Sequence, residues 1–280
     1  MNKTVKREYV EERSLASKLL AMLLLSAFAC TAQAATISWV SGAQGDFTTA
    51  TNWVGGVVPG NLDAASARGG SDQHVIVSTD VIVGSYEMRS GTLTVEAGAR
   101  LTTTGGDGTA RSFDLSRNAI TANISGEVYS QNSAMSLGSH LSSVTVINLD
   151  GGRLIADSGI RFGDGTTSSL TINMTNGTLM QTGFGFVEVD QNFMLNMAEG
   201  SVMRAAATNE TLLATVMAQY QGWIDNSRAV ITDSGSFSMF SETIEGTQYA
   251  VLSVIPEPAT FAIMGLGGLL ILVRRKLMLR

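Results

Sequence analysis

The sequence predicts an all-β chain built around a right-handed parallel β-helix, a solenoid of about 25 residues per turn, with one amphipathic capping helix. Three observations lead there. A short strand pattern carrying an asparagine recurs at near-constant intervals. Gly, Ser, Thr and Asn are abundant, whereas 280 residues hold only 3 Pro. β-Branched residues fall in short alternating runs, the mark of many strands joined by tight turns. An antiparallel sandwich or jelly roll also explains the strand density, but not the repeated asparagine with its fixed glycine.

Taken from the beginning, residues 1–18 carry Lys3, Lys6, Arg7, Arg13 and Lys18. Leu19 to Cys30 then form an apolar block ending near Ala32-Gln33-Ala34. A charged start, an apolar centre and a small-residue A-x-A site are the parts of a secretory signal peptide, with the export translocon as partner. Residues 1–34 are therefore expected to leave by cleavage after Ala34, read through Ala32 and Ala34. Cys30 also suggests a lipoprotein site, but Ala27, Phe28 and Ala29 lack the leucine expected three positions upstream. A cut after Ala34 removes the only cysteine, and with it disulfide and thiol chemistry.

Residues 35–255 fit one domain and hold nine Arg, no Lys and twenty Asp plus Glu, a net charge of −11 against −6 for the whole chain. So acidic a surface repels phosphate backbones and argues against nucleic acid as a partner. The domain opens on Trp39, Gly42, Gly45, Asp46, Phe47, Asn52, Trp53, Pro59, Gly60 and Asp63. Two indoles spaced in this way are expected to close the first end of the β-structure; sugar stacking is the other use of such rings.

The repeat occupies the middle. Ile147-Asn148-Leu149, Ile172-Asn173-Met174 and Leu195-Asn196-Met197 are each followed by a glycine (Gly152, Gly177, Gly200) and then by Leu154, Leu179 or Val202. A degraded copy runs Ala122-Asn123-Ile124, Gly126, Val128, and Met88, Gly91 and Leu93 keep the pattern without the asparagine. In a strand, Ile147 and Leu149 face one side and Asn148 the other. Stacked in register, Asn123, Asn148, Asn173 and Asn196 form a column of amides that hydrogen-bond to one another. The shared glycine suits a bend at positive φ, where a Cβ clashes.

Beyond the last copy, Leu212, Leu213, Val216, Met217 and Tyr220 fall at helical spacing between residues 209 and 221, with Glu210 in the first turn and Gly222 as a stop. This helix is expected to cover the open end of the solenoid; binding a partner is the alternative use of its apolar stripe. Strand-like runs follow at Ala229–Thr232, Phe237–Phe240 and Tyr249–Ile255.

Residues for chemistry are few. His74 and His140 are the two histidines, and no Cys or His stands at metal-ligand spacing. Gly106-Asp107-Gly108-Thr109 and Gly163-Asp164-Gly165-Thr166 supply one carboxylate each, too few for calcium, and read as turns. Acid pairs for a polysaccharide lyase or hydrolase could be drawn from Asp150, Asp157, Asp164, Glu188 and Asp190, but no spacing selects one. The expectation is a protein without catalytic, metal or cofactor residues.

The chain closes on Pro256-Glu257-Pro258, an apolar run from Ala259 to Val273, and the basic residues Arg274, Arg275 and Lys276 within the tail 274–280. The prolines keep the tripeptide extended, and a helix is expected from Ala259. Fifteen residues cross a bilayer only marginally, since a spanning helix needs about 20. The cations hold the end on the cytoplasmic side. Val254 to Phe261, Met264-Gly265-Leu266-Gly267 and the basic end together closely resemble the PEP-CTERM sorting signal of Gram-negative exported proteins. The Trp39–Asp63 pattern resembles the opening of many autotransporter-like and PEP-CTERM surface proteins. The resemblance implies an exosortase, a membrane-embedded cysteine transpeptidase, that cuts near Pro256-Glu257-Pro258. It implies transient inner-membrane anchoring and then a surface or extracellular location. A structural, adhesive or matrix role is expected; a carbohydrate-binding or polysaccharide-degrading module, with extracellular polysaccharide as partner, is the alternative.

Overall fold

The computed structural model describes residues 34–256, apart from residues 71, 107, 109–110, 139, 141, 164–166, 176 and 189–191. The chain divides between Gln33 and Ala34, and every described residue belongs to the second unit. The expected signal peptide up to Gln33 and the apolar segment 259–273 lie outside the described residues.

Short strands wind into a β-solenoid of about six turns, each turn giving one strand to each of three sheets. The first sheet contains β1 (Thr36–Ser38), β3 (Ala64–Ala67), β6 (Ser85–Met88), β9 (Arg111–Leu115), β12 (Ala134–Leu137), β15 (Ile160–Phe162) and β18 (Phe186–Glu188). The second contains β2 (Gln44–Asp46), β4 (His74–Val77), β7 (Gly91–Val95), β10 (Ala119–Ile124), β13 (Val144–Leu149), β16 (Ser169–Met174), β19 (Phe193–Met197) and β21 (Ala229–Ile231). The third runs β5 (Val81–Val83), β8 (Arg100–Thr103), β11 (Glu127–Ser130), β14 (Arg153–Ala156), β17 (Leu179–Thr182) and β20 (Val202–Ala207), and ends on β23 (Thr247–Ile255) and β22 (Ser236–Ile244). Strands of successive turns pair in parallel, which rules out the sandwich and jelly roll.

Alternation along each strand builds the core. In β13 and β16, Ile147, Leu149, Ile172 and Met174 point inward and are buried, while Asn148 and Asn173 point out. Each fully buried Leu or Ile contributes about 1.5–3 kcal/mol, and the stack repeats such layers along its length. At the corner between third and first sheets the interior turns polar without loss: Ser112 Oγ lies 2.7 Å from both Thr103 Oγ1 and Ser130 Oγ.

The two ends close differently. At the first, Trp39 and Trp53 meet edge to face with centroids 4.9 Å apart, and Phe47 lies 4.8 Å from Trp53. Both indoles are buried and each N–H donates to a carbonyl, Trp39 to Ala43 and Trp53 to Phe47, so they belong to the core rather than to a sugar platform.

At the other end α1 (Glu210–Asp225) packs on the last strands. Asn209 caps it by accepting from the Leu212 N–H at 2.8 Å. Val216, Tyr220 and Trp223 form its buried face, and Trp223 gathers Phe162, Phe186, Phe193 and Tyr220 within 5.3–5.8 Å. The helix thus runs past Gly222 instead of stopping there. Burying a large indole outweighs the cost of about 1 kcal/mol for a helical glycine. The chain then leaves the solenoid pattern: β23 pairs antiparallel with β20, and β22 with β23. Glu245 (φ 50°) and Gly246 (φ 81°) make the tight turn between β22 and β23.

Candidate functional site

The asparagine column is continuous. Asn123, Asn148, Asn173 and Asn196 are register partners on β10, β13, β16 and β19. Each amide N–H donates to the oxygen one turn earlier: Asn148 to Asn123 at 2.8 Å, Asn173 to Asn148 at 2.8 Å, and Asn196 to Asn173 at 2.7 Å. Thr94, the partner of Asn123 on β7, is met instead by His74 Nε2 at 2.9 Å.

The glycines beside the column divide into two kinds. Gly177 (φ 79°) and Gly200 (φ 76°) occupy the positive-φ bend expected of all four. Gly126 and Gly152 do not; their constraint is space. A Cβ on Gly152 falls 2.0 Å from the Ile124 carbonyl oxygen, and one on Gly126 falls 2.2 Å from that of Ala99. The preceding turn, rather than the residue's own dihedral, requires glycine there.

Among the acids, Asp150 accepts from Thr175 Oγ1 at 3.0 Å, beyond the end of β13. Asp157, beyond β14, accepts from the Tyr129 hydroxyl at 2.8 and 2.9 Å and from the Asn132 N–H at 3.1 Å. The two occupy different corners of the solenoid. Asp107, Asp164 and Asp190 lie outside the described residues, as does the Glu188 side chain. No three His, Cys, Asp or Glu side chains among the described residues converge as a metal site.

The carboxylates that do stand side by side are two the sequence did not single out. Glu87 on β6 and Asp114 on β9 are register partners on the outer face of the first sheet. Arg68 and Arg89 both bind Glu87, Arg68 Nε at 2.9 Å. Burial alone raises the pKa of Glu87, but the hydrogen bonds and charges of the two guanidiniums outweigh it, and the carboxyl titrates below its ordinary range. On the third sheet, Glu127 takes Arg100 Nε at 2.8 Å and Arg153 Nη1 at 3.0 Å, one from each neighbouring turn.

Two junctions frame the domain. At the start, Ala34 is exposed, and the Ala35 N–H donates to Asp63 Oδ1 at 3.1 Å while Gly60 holds Oδ2 at 2.9 Å. Ala35 also accepts from the Ala64 N–H at 2.8 Å, so the first strand begins at once. At the finish, β23 pairs through Ile255, opposite Ser236, and Pro256 is the next residue, exposed and outside any strand. Ala32, Glu257, Pro258, Arg274, Arg275 and Lys276 lie outside the described residues. No helix among the described residues is long and apolar enough to cross a membrane.

No curated protein and no solved structure significantly matches the chain. Residues 254–276, beginning on the penultimate residue of β23, match the PEP-CTERM protein-sorting motif, and that motif implies an exported protein recognised and sorted by an exosortase.

Proposed function

We propose that the β-solenoid is the cargo of a two-signal delivery route and serves as a structural or adhesive component of the cell surface or extracellular matrix. Residues 1–34 direct the chain to the export translocon and are cut away after Ala34. Residues 259–273 then hold it in the inner membrane, with 274–280 on the cytoplasmic side, until an exosortase acts near Pro256-Glu257-Pro258. The observation that carries this reading is the junction at Ile255: the sorting motif begins on the last two residues of the last strand, so the recognised tripeptide follows in sequence directly on a completed fold.

A non-enzymatic role is supported by how the solenoid uses its polar groups. The asparagine amides are spent on one another, and Glu87 is held ionised by Arg68 and Arg89, opposite to the raised pKa a glycosidase acid requires. Replacing Pro256-Glu257-Pro258 by three alanines leaves an uncut, membrane-held precursor on immunoblots of fractionated cells. Release equal to the unaltered protein sinks the sorting reading.

A further inference from the structure

The outer face of the first sheet carries a track that the sorting role does not use. One residue from each strand forms its floor: Ser66, Glu87, Asp114, Ser136, Arg161 and Val187 are successive register partners from β3 to β18. Two cavities of about 350 and 370 Å³ lie along it and share Arg111. Each is within the size range of small-ligand sites. Six strands at spacings of about 4.8 Å make the track about 24 Å long.

Its lining is rich in charged groups. Three guanidiniums, Arg68, Arg111 and Arg161, and two carboxylates, Glu87 and Asp114, line the two cavities, a charge of +1 on a domain of −11. Ser66 lines the first cavity, is 2% exposed, and its hydroxyl has no hydrogen-bond partner in the protein; Ser136, farther along the same row, is buried with its hydroxyl also unmet. Buried hydroxyls are costly to leave unpaired, so that of Ser66, in the wall of the first cavity, marks a position where a ligand hydroxyl gains by binding, whereas Ser136 lines neither cavity. At the far end Phe184 is 70% exposed and borders the second cavity beside Val187.

We infer that this track binds an extended acidic polysaccharide, and the inference rests on the extracellular placement proposed above. The strands beneath it are paired on both sides from β3 to β15, so along that length a peptide finds no edge to extend. Recognition falls to side chains, and those present suit a polyol. Guanidiniums donate to uronate carboxylates, Ser66, Glu87 and Asp114 exchange hydrogen bonds with ring hydroxyls, and Phe184 offers a flat face to a sugar ring.

The test uses the full-length chain in detergent and affinity electrophoresis in gels containing polygalacturonate, with neutral dextran as the second gel. Retardation by polygalacturonate, lost as salt rises and absent in dextran, is the expected result. Arg111→Gln weakens it about tenfold, the loss of one charge-assisted contact. Phe184→Ala, an exposed turn residue whose change leaves the fold intact, weakens it about fivefold. No retardation, or retardation unchanged in both variants, overturns the proposal; equal retardation in dextran overturns the acidic assignment. Because binding is read on uncut protein, its failure leaves the sorting reading standing, and a block in sorting leaves the binding result standing.

Discussion

The first and last ends of the solenoid solve one problem with different materials. Both must cover apolar area that no further turn will bury and offer no easy edge for another chain. The first end does so with Trp39, Phe47 and Trp53, carried on turns around β2 and fixed by indole N–H bonds to Ala43 and Phe47. The last end uses α1, whose Trp223 plugs an aromatic layer, together with the antiparallel pair β22–β23. The difference follows the two junctions. Where the chain enters, Ala35 must bond at once to Asp63 and start a strand; where it leaves, the antiparallel pair carries β23 along the third sheet and delivers Pro256 at its end.

In a stacked fold each end is expected to melt on its own, and that comparison can be broken from the middle. Ile172, fully buried on β16, separates the two. Ile172→Asp buries an unpaired charge and costs upward of about 4 kcal/mol, so circular dichroism shows loss of the whole β signal rather than of one end. A folded variant of equal stability means that this layer is not shared by both ends.

Truncating the plugs sharpens the same contrast. Trp53→Ala and Trp223→Ala each cost about 3–5 kcal/mol. Hydrogen exchange then shows lost protection in β1–β4 for the first and in β19–β23 for the second. Exchange that spreads over all turns in both cases shows a single cooperative unit instead of two independent ends.

A smaller effect distinguishes the cut end from the sorted one. The proposed cleavage after Ala34 turns the Ala35 amide, 3.1 Å from Asp63, into an ammonium and its hydrogen bond into an ion pair. The contact is exposed, so Asp63→Asn lowers the stability of the cleaved protein by about 1 kcal/mol or less. The pair raises the pKa of the amine on folding. Its contribution is therefore complete below the ordinary α-amine value of about 7.7–8.0 and fades as pH rises through the raised folded value. Equal melting temperatures for Asp63→Asn and the unaltered cleaved protein at pH 6 count against this role.

The sequence made the second sheet legible because the asparagine column places the same residue on four successive strands, each amide bonded to the next. The outer row of the first sheet was illegible for the opposite reason. Ser66, Glu87, Asp114, Ser136, Arg161 and Val187 share a position but no repeated residue from turn to turn, and three-residue strands such as β15 and β18 are too short to show alternation. Gly126 and Gly152 were recognised as required while the reason differed, because the clash comes from a carbonyl one turn away and no local rule sees it. The hairpin at the finish was not read from the sequence, where Phe237–Phe240 and Tyr249–Ile255 stood as separate runs; the structure extends both to a tight turn at Glu245-Gly246. The reach of α1 past Gly222 depended on Trp223, whose pocket is assembled from three other elements of the chain.

The asparagine column also has a direction. Each amide gives its proton to the turn before it, so the side-chain dipoles add along the axis, as peptide dipoles do along a helix. A vector of this kind sets a unit of growth. A duplicated turn carrying its own asparagine, whether of 25 residues or of the 23 between Asn173 and Asn196, inherits one acceptor and supplies one donor, leaving both ends untouched, whereas an insertion that brings no asparagine into register interrupts the line. Solenoids of this design lengthen in whole steps.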